Sequence, residues 1–241
     1  MYIPKQLEQK ITSLGGTGIP LGIDPLYDIC RILKGFTPDV IVDVGANVGQ
    51  TTAYFVERFP KALIHCLEPV STNFDKLCRN AAAWKNVKCH QIALGASKST
   101  VTLEIDPDAS PRMISLAYAG KPLKAGNTRQ EKVQVQTLTA FCSDIDIDHI
   151  GYLKIDTEGY DLEVLRGGQQ LLAAKAVDLI EIEAGMNPLN SYHVDMVEIK
   201  QYLEKENYFL FGIYEQVHEW QVNKPIMRRA NLLFISESLY K

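Results

Sequence analysis

Two segments of the chain share one pattern, in which an apolar strand ends at an acidic residue, turns through glycine and continues as a helix. The segments read VIVDVGANVGQ at residues 40–50 and GYLKIDTEGYDLEVLRGG at residues 151–168. In parallel α/β sheets, ligands bind outside the carboxyl ends of the strands, where such turns lie. The repeated pattern therefore predicts a doubly wound, Rossmann-like α/β sheet with a ligand site at that edge.

The rest of the sequence alternates between strand and helix patterns in the same way, as βαβ units do. We predict parallel strands at residues 40–44, 62–67, 87–92, 152–155 and 177–183. Residues 208–214 and 231–236 read as two further strands that form a C-terminal antiparallel hairpin. We expect one domain over residues 1–241, mostly parallel in its sheet, with residues 1–37 as a helical lead-in.

The middle of the chain interrupts this alternation. Residues 101–105 and 132–138 alternate apolar and polar side chains, which predicts half-exposed antiparallel strands. The segment 106–131 between them is rich in glycine, proline and serine and is long for a connection. We predict an insertion or lid here, which supplies part of an acceptor pocket together with the C-terminal arm up to Arg229.

Composition excludes several classes of protein. The formal net charge of −4 over 241 residues disfavours a nucleic-acid partner. No apolar run approaches the roughly 18 residues of a membrane span, and the first residues lack the layout of a signal peptide. The five cysteines are scattered, which is typical of reduced thiols. These features predict a cytoplasmic protein.

The first glycine turn does not match the dinucleotide-binding fingerprint. That fingerprint requires glycine two and five residues after Gly45, and the chain has Asn47 and Gln50 there. Asp43 beside the turn would repel a diphosphate and suits a ligand with an ammonium group. S-adenosylmethionine has an ammonium group, a sulfonium group and no phosphate, so the turn favours it over a dinucleotide.

Glu68 ends the next predicted strand, 19 residues after Gly49. An acidic residue at about this interval holds ribose hydroxyls in nucleoside-binding sheets. The alternative is that the glycines are ordinary turn residues and Glu68 an ordinary exposed acid. Because the features occur together and in order at strand ends, we prefer the cofactor interpretation.

The motifs DVGANVGQTT, CLEPVSTNFDKLCRN, QIALG and KIDTEGYDLEVLRGG resemble the FkbM family of S-adenosylmethionine-dependent methyltransferases. The resemblance implies the class I methyltransferase fold, S-adenosyl-L-methionine as cofactor, and methylation of a hydroxyl on a natural product or a sugar. One departure is Asp161, where the family more often has glutamate. The resemblance also implies a set of cofactor-binding residues, namely Asp43, Gly45, Asn47, Gly49, Glu68, Pro69, Ala93 and Leu94.

The catalytic candidates follow the later strands of the sheet. Asp156 and Glu158 come after the strand at 152–155, where a carboxylate can accept the proton of an acceptor alcohol. The alternative for Glu158 is to cap the next helix. Glu183 at the end of a strand and His193 in the loop behind it are further candidates for the base.

We predict no metal site, although Asp156 with Glu183 could hold Mg²⁺ or Mn²⁺. We expect an O-methyltransferase that acts on a small-molecule or glycan acceptor, with no nucleic-acid partner and a possible homodimer. Two alternatives stay open: an N-methyltransferase, and a non-catalytic adenosyl-binding module of the same fold.

Overall fold

The computed structural model describes residues 19–105, 129–219 and 224–240. The strands are β1 Val40–Val44, β2 Leu63–Leu67, β3 Val87–His90, β4 Ala93–Leu94, β5 Ser99–Ile105, β6 Arg129–Gln136, β7 Ile150–Ile155, β8 Val177–Gly185, β9 Tyr208–His218 and β10 Met227–Ser236. The helices are α1 Pro25–Ile32, α2 Gln50–Arg58, α3 Ser71–Ala81, α4 Leu138–Asp144, α5 Asp161–Gly167, α6 Gln169–Ala173 and α7 Met196–Lys205, followed by a 3₁₀ helix at Glu237–Leu239.

Within the described residues, seven strands form one sheet in the order β3-β2-β1-β7-β8-β10-β9. β1 pairs in parallel with both β2 and β7, and β8 pairs in parallel with β7. β10 runs antiparallel to both β8 and β9. The predicted doubly wound, mostly parallel sheet with a C-terminal antiparallel hairpin is therefore confirmed.

Both faces of the sheet are buried, which explains why its central strands read as nearly continuous apolar runs. On one face, side chains of α4, α5 and α7 pack against β7 and β8 in a cluster that includes Leu138, Leu165 and Leu203. On the other, α1, α2 and α3 contribute a cluster that includes Ile29 and Phe55. This packing leaves the carboxyl ends of the strands as the edge where a cleft can form.

A second, three-stranded sheet has the order β4-β6-β5, with β5 and β6 antiparallel. The half-exposed strands predicted on either side of the insertion are thus confirmed. Strand β6 begins at Arg129, three residues before the predicted strand at 132–138, because residues 129–131 pair with β5. Residues 106–128 of the predicted insertion or lid lie outside the described residues, as do residues 1–18 of the helical lead-in and residues 220–223 of the C-terminal arm.

Two short elements between β3 and β7 were not predicted. β4 has two residues and α4 has seven, both too short for apolar periodicity to reveal. α4 begins where the Thr137 side chain accepts a hydrogen bond from the amide of Ala140. Among the described residues, no helix combines the length and apolar character needed to cross a membrane.

Candidate active site

The turn after β1 packs tightly against the end of β7. The amides of Gly45 and Ala46 both donate to the Leu67 carbonyl at 3.0 Å, which ties the turn to β2. Gly45, Asn47 and Gly49 all have positive φ, at 81°, 53° and 91°. A Cβ on Gly45 would lie 2.0 Å from the carbonyl oxygen of Asp156. Glycine is therefore required at this position by both conformation and space.

A cavity of about 320 Å³ opens at the carboxyl ends of β1, β2 and β7. The predicted edge of the sheet is thus where the described chain forms a cleft. Its wall brings together most of the residues selected from the sequence, namely Gly45, Asn47, Glu68, Pro69, Ala93, Leu94, Asp156, Glu158 and Glu183. Several residues not selected as site residues also line it, including Gln50, Tyr54, Ile92, Lys154, Glu215 and Asn231.

Glu68 is fixed at one end of the cavity by backbone amides. Its carboxylate accepts hydrogen bonds from the amide of Asn47 at 3.0 Å and from the amide of Val70 at 2.9 Å. Burial nevertheless raises the pKa of Glu68 to about 7. Next to it, Ile92, Ala93 and Leu94 give the same end of the cavity an apolar wall.

Asp43 and Gly49 are not among the residues that line the cavity. The Asp43 carboxylate is buried and accepts a hydrogen bond from the Thr52 hydroxyl at 3.0 Å. Burial raises the pKa of Asp43 to about 6, and Lys154 partly offsets this rise. In the structure these two residues hold the turn and the start of α2, and their assignment to the cofactor stays a prediction.

The opposite end of the cavity is rich in charge. The Lys154 ammonium lies 3.1 Å from a carboxylate oxygen of Asp156, and its side chain is only 3% exposed. Burial opposes the ionised form of Asp156, but the Lys154 charge outweighs it and lowers the Asp156 pKa. Carboxylates around Lys154 likewise outweigh its burial and raise the Lys154 pKa. Both groups are therefore charged at neutral pH.

His193 lies behind this charged wall and does not line the cavity. Its Nε2 is 2.7 Å from Glu183 Oε2 and 3.5 Å from Glu158 Oε2. Burial lowers the pKa of His193, but the adjacent carboxylates of Glu158 and Glu183 outweigh this and bring it to about 9. The Arg229 guanidinium contacts the other oxygen of Glu183. Two cations thus flank Glu183.

The turn between β7 and α5 is held by Asp161 and not by Glu158. The Asp161 carboxylate accepts hydrogen bonds from the amides of Thr157 at 3.0 Å and Gly159 at 2.9 Å. The residue before α5, Tyr160, makes no side-chain capping bond. The alternative in which Glu158 caps this helix is therefore wrong, and Glu158 instead faces the cavity and His193.

Beneath the charged end lies a buried polar network. Asn231 donates from Nδ2 to Glu181 at 2.8 Å, and the Tyr152 hydroxyl donates to the same carboxylate. Of the two glutamates expected on one side of β8, Glu183 lines the cavity and Glu181 does not. The feature of the sequence that could have indicated this network is a charged residue within an apolar strand. Lys154 in YLKI is such a residue, and its charge interacts with that of Glu181.

Comparisons with known proteins identify relatives of this arrangement. Residues 43–210 match a family described as the Methyltransferase FkbM domain. The chain is 31% identical over 170 residues to Methyltransferase sdnD of Sordaria araneosa, covering 60% of this chain and 64% of the relative. It is 23% identical over 155 residues to 2-O-methyltransferase NoeI of Sinorhizobium fredii, covering 56% of this chain and 60% of the relative. The chain thus spans about three fifths of the length of these relatives.

A solved structure shows the same fold. The crystal structure of a methyltransferase FkbM from Methylobacillus flagellatus KT aligns with a TM-score of 0.53 and 17% sequence identity, covering 81% of this chain and 43% of that one. At this identity the likeness concerns the fold, a mostly parallel sheet that ends in an antiparallel hairpin.

Proposed function

We propose that this chain, which belongs to the FkbM methyltransferase family, transfers the methyl group of S-adenosylmethionine to a hydroxyl of a small molecule or a sugar. The observation that carries the proposal is the cavity itself. One end offers Glu68 and an apolar wall, and the other offers three carboxylates, Asp156, Glu158 and Glu183. The first end suits a nucleoside and the second suits a hydroxyl that loses its proton.

The residues at the first end fit the cofactor. The Asn47 side-chain oxygen is buried and makes no hydrogen bond to any described residue, so it can accept one from a ligand. Glu68 can accept hydrogen bonds from ribose hydroxyls, and Ala93 with Leu94 can flank an adenine ring. Asp43, placed below the turn, would act on the ammonium of the cofactor only through the charge of its carboxylate.

When bound, S-adenosylmethionine supplies an electrophilic methyl group on a positively charged sulfur. The protein then has to align the acceptor oxygen with that methyl group and keep water away from both. Because an alcohol is a weak nucleophile, a carboxylate that accepts its proton during the transfer is needed. That carboxylate has to lie at the cavity wall with an oxygen not already held by a cation.

Glu158 meets this requirement best. Asp156 is paired with Lys154, which lowers its pKa and makes it a weaker base. Both oxygens of Glu183 face cations, His193 on one side and Arg229 on the other. Glu158 has a side chain that is 30% exposed, and its contact with His193 is long, at 3.5 Å. We therefore assign Glu158 as the base, held in place by His193.

An oxygen acceptor is supported by the charge of this end and by the name of one relative, a 2-O-methyltransferase. A nitrogen acceptor is the alternative, since carboxylates also bind amines. Methyl transfer to pooled sugars, hydroxylated natural products and their amino analogues, with the product identified by mass spectrometry, distinguishes the two. Methylation confined to amines would overturn the assignment of oxygen.

Cofactor binding is tested without knowledge of the acceptor. Isothermal titration with S-adenosylhomocysteine should show binding that weakens about 100-fold in Glu68→Ala, through the loss of hydrogen bonds to a charged group. Glu57→Ala, on the surface of α2, is the matched control and should bind like the wild type. Normal binding by Glu68→Ala, or tight binding of NAD by the wild type, contradicts the proposal.

A further inference from the structure

Three side chains at the edge of the cavity are arranged as a metal-binding group. Glu158, Glu183 and His193 each place a donor atom within 4.8 Å of the other two, and they form the one such trio found among the residues that the structure describes. His193 Nε2 is 2.7 Å from the Glu183 oxygen and 3.5 Å from the Glu158 oxygen. The trio combines one imidazole with two carboxylates from three separate segments.

These separations match those of neighbouring ligands around a small divalent cation. With metal–ligand distances of about 2.1 Å, adjacent ligands lie about 3.0 Å apart in octahedral geometry and about 3.4 Å apart in tetrahedral geometry. The two observed distances, 2.7 and 3.5 Å, bracket these values. The two distances to Nε2 thus fit a shared cation, and the donor oxygens of Glu158 and Glu183 lie within 4.8 Å of each other. Binding of a cation would displace the proton from His193 Nε2.

An independent observation concerns the imidazole. The His193 side chain is 2% exposed, and its Nε2 forms no aligned hydrogen bond with any described residue, although Glu183 lies near. Buried ring nitrogens normally make a hydrogen bond or bind an ion. Nε2 points at the carboxylates of Glu158 and Glu183, so an ion at the centre of the trio would supply the partner that this nitrogen lacks.

Residues outside the trio hold two of its members, His193 and Glu183, in place. Asn190 contacts His193 Nδ1 through its amide, with Oδ1 at 3.1 Å, and anchors itself by donating from Nδ2 to the Arg228 carbonyl at 2.9 Å. Arg229 contacts Oε1 of Glu183, which leaves Oε2 for the trio. Outer contacts of this kind orient the ligands in metal sites.

We propose that Glu158, Glu183 and His193 bind a divalent transition-metal cation of the Mn²⁺ or Zn²⁺ type. A mixed set of imidazole and carboxylate donors suits these ions better than Ca²⁺ or Mg²⁺. Glu158 and Glu183 line the cavity while His193 lies behind them, so the remaining coordination positions face the cavity.

The role of this cation rests on the proposed function. An acceptor hydroxyl that enters an open coordination position loses its proton more readily. Glu158 would contribute Oε2 to the cation, because that oxygen is the one nearest His193, and its other oxygen stays available for the proton. The binding of the cation itself does not depend on methyl transfer and is measured separately.

The test is a titration of the full chain with Mn²⁺, followed by electron paramagnetic resonance of the free ion, in the absence of cofactor and acceptor. We expect one saturable site in the wild type, with affinity at least about tenfold weaker in His193→Gln and in Glu183→Gln. Glu215→Gln, which removes a cavity carboxylate outside the trio, should bind Mn²⁺ like the wild type. Binding of S-adenosylhomocysteine by each variant shows that it is folded.

Two results overturn the proposal: no saturable Mn²⁺ site below about 1 mM in the folded wild type, or equal affinity in the wild type and His193→Gln. If His193→Gln does not fold, Glu158→Gln replaces it, since that side chain is 30% exposed. A protein that binds S-adenosylhomocysteine but not Mn²⁺ refutes the metal site alone. Loss of cofactor binding in the wild type refutes the proposed function instead.

Discussion

The two ends of the cavity are built in different ways. The end next to β1 and β2 consists of a glycine turn, backbone amides and one carboxylate, Glu68, that those amides hold. The end next to β7, β8 and β10 consists of charged side chains that hold one another, such as Lys154 with Asp156 and Arg229 with Glu183. The first end depends on backbone shape, whereas the second depends on electrostatic balance. Substitutions should therefore be damaging for different reasons at the two ends: at the first because they distort the backbone, and at the second because they leave charges unpaired.

The largest effect should come from the backbone-built end. In Gly45→Ala, the new Cβ would lie 2.0 Å from the Asp156 carbonyl oxygen, at a φ of 81°. Because backbone cannot move aside as a side chain can, we expect a loss of at least about 4 kcal/mol in the free energy of unfolding. Urea denaturation followed by circular dichroism measures it.

Gly35→Ala is the matched control. Gly35 has nearly the same φ, 83°, but no described atom lies within 4 Å of the Cβ position. It should lose only about 1 kcal/mol, the cost of the left-handed conformation. Similar losses in the two variants would mean that close packing against β7 does not define this end of the cavity.

This end could be anticipated from the sequence because its determinants are local. The turn and the start of α2 lie within ten residues of β1, and Glu68 directly follows β2. Local patterns place Gly45, Asn47 and Glu68 at the sheet edge where the cavity opens, but they do not show the side to which the Asp43 side chain points. Asp43 faces Thr52 because the first turn of α2 passes over that face of β1.

The charged end could be anticipated only in part. Asp156, Glu158 and Glu183 were identified since each follows or ends a strand. Lys154, the partner of Asp156, lies on the same strand, but Glu183 on β8 is contacted by Arg229 on β10, 46 residues later in the chain. No local pattern reveals such a pairing. For the same reason, the sequence does not show that His193 lies behind the glutamates and outside the cavity wall.

At the charged end, the second-largest effect should follow the loss of Lys154. Lys154→Met leaves several buried or partly buried carboxylates without their cation, and we expect a destabilisation of about 3 kcal/mol. The estimate stays at the low end of the range for buried pairs because the Asp156 side chain is 34% exposed. Thermal and urea denaturation measure it.

Lys200→Met provides the comparison. Lys200 pairs with Glu204 at 2.6 Å on the surface of α7, where the two side chains are 41% and 34% exposed. Exposed pairs of this spacing contribute about 0.3–0.5 kcal/mol. If Lys154→Met were no more damaging than Lys200→Met, the charged end would not depend on its buried cation.

A third prediction separates the two ends by function. Glu158→Gln should lower the rate of methyl transfer about 100-fold, because the base is lost, while the dissociation constant of S-adenosylhomocysteine changes less than twofold. Asp156→Asn should impair transfer less, since Lys154 already holds that carboxylate. Single-turnover kinetics with an identified acceptor and calorimetry supply the two measurements. Weak cofactor binding in Glu158→Gln would assign this residue to the cofactor end.

The smallest effect is a pH dependence at the cofactor end. Burial raises the pKa of Glu68 to about 7, and hydrogen bonds from ribose hydroxyls favour its ionised form. Lowering the pH from 8 to 6 protonates most of this group, so affinity for S-adenosylhomocysteine should fall about tenfold.

The stability of the protein should change in the opposite sense. Glu68 binds its proton more tightly in the folded protein, where its pKa is about 7, than in the unfolded chain, where its pKa is 4.5. The contribution of Glu68 to the free energy of unfolding therefore falls as the pH rises from 4.5 to about 7. Calorimetry across this range tests both directions, and Glu68→Gln is the variant in which the contribution of Glu68 should be absent from both profiles. A change in affinity that persists in Glu68→Gln would assign the titration to another buried carboxyl, such as Asp43, whose pKa burial raises to about 6.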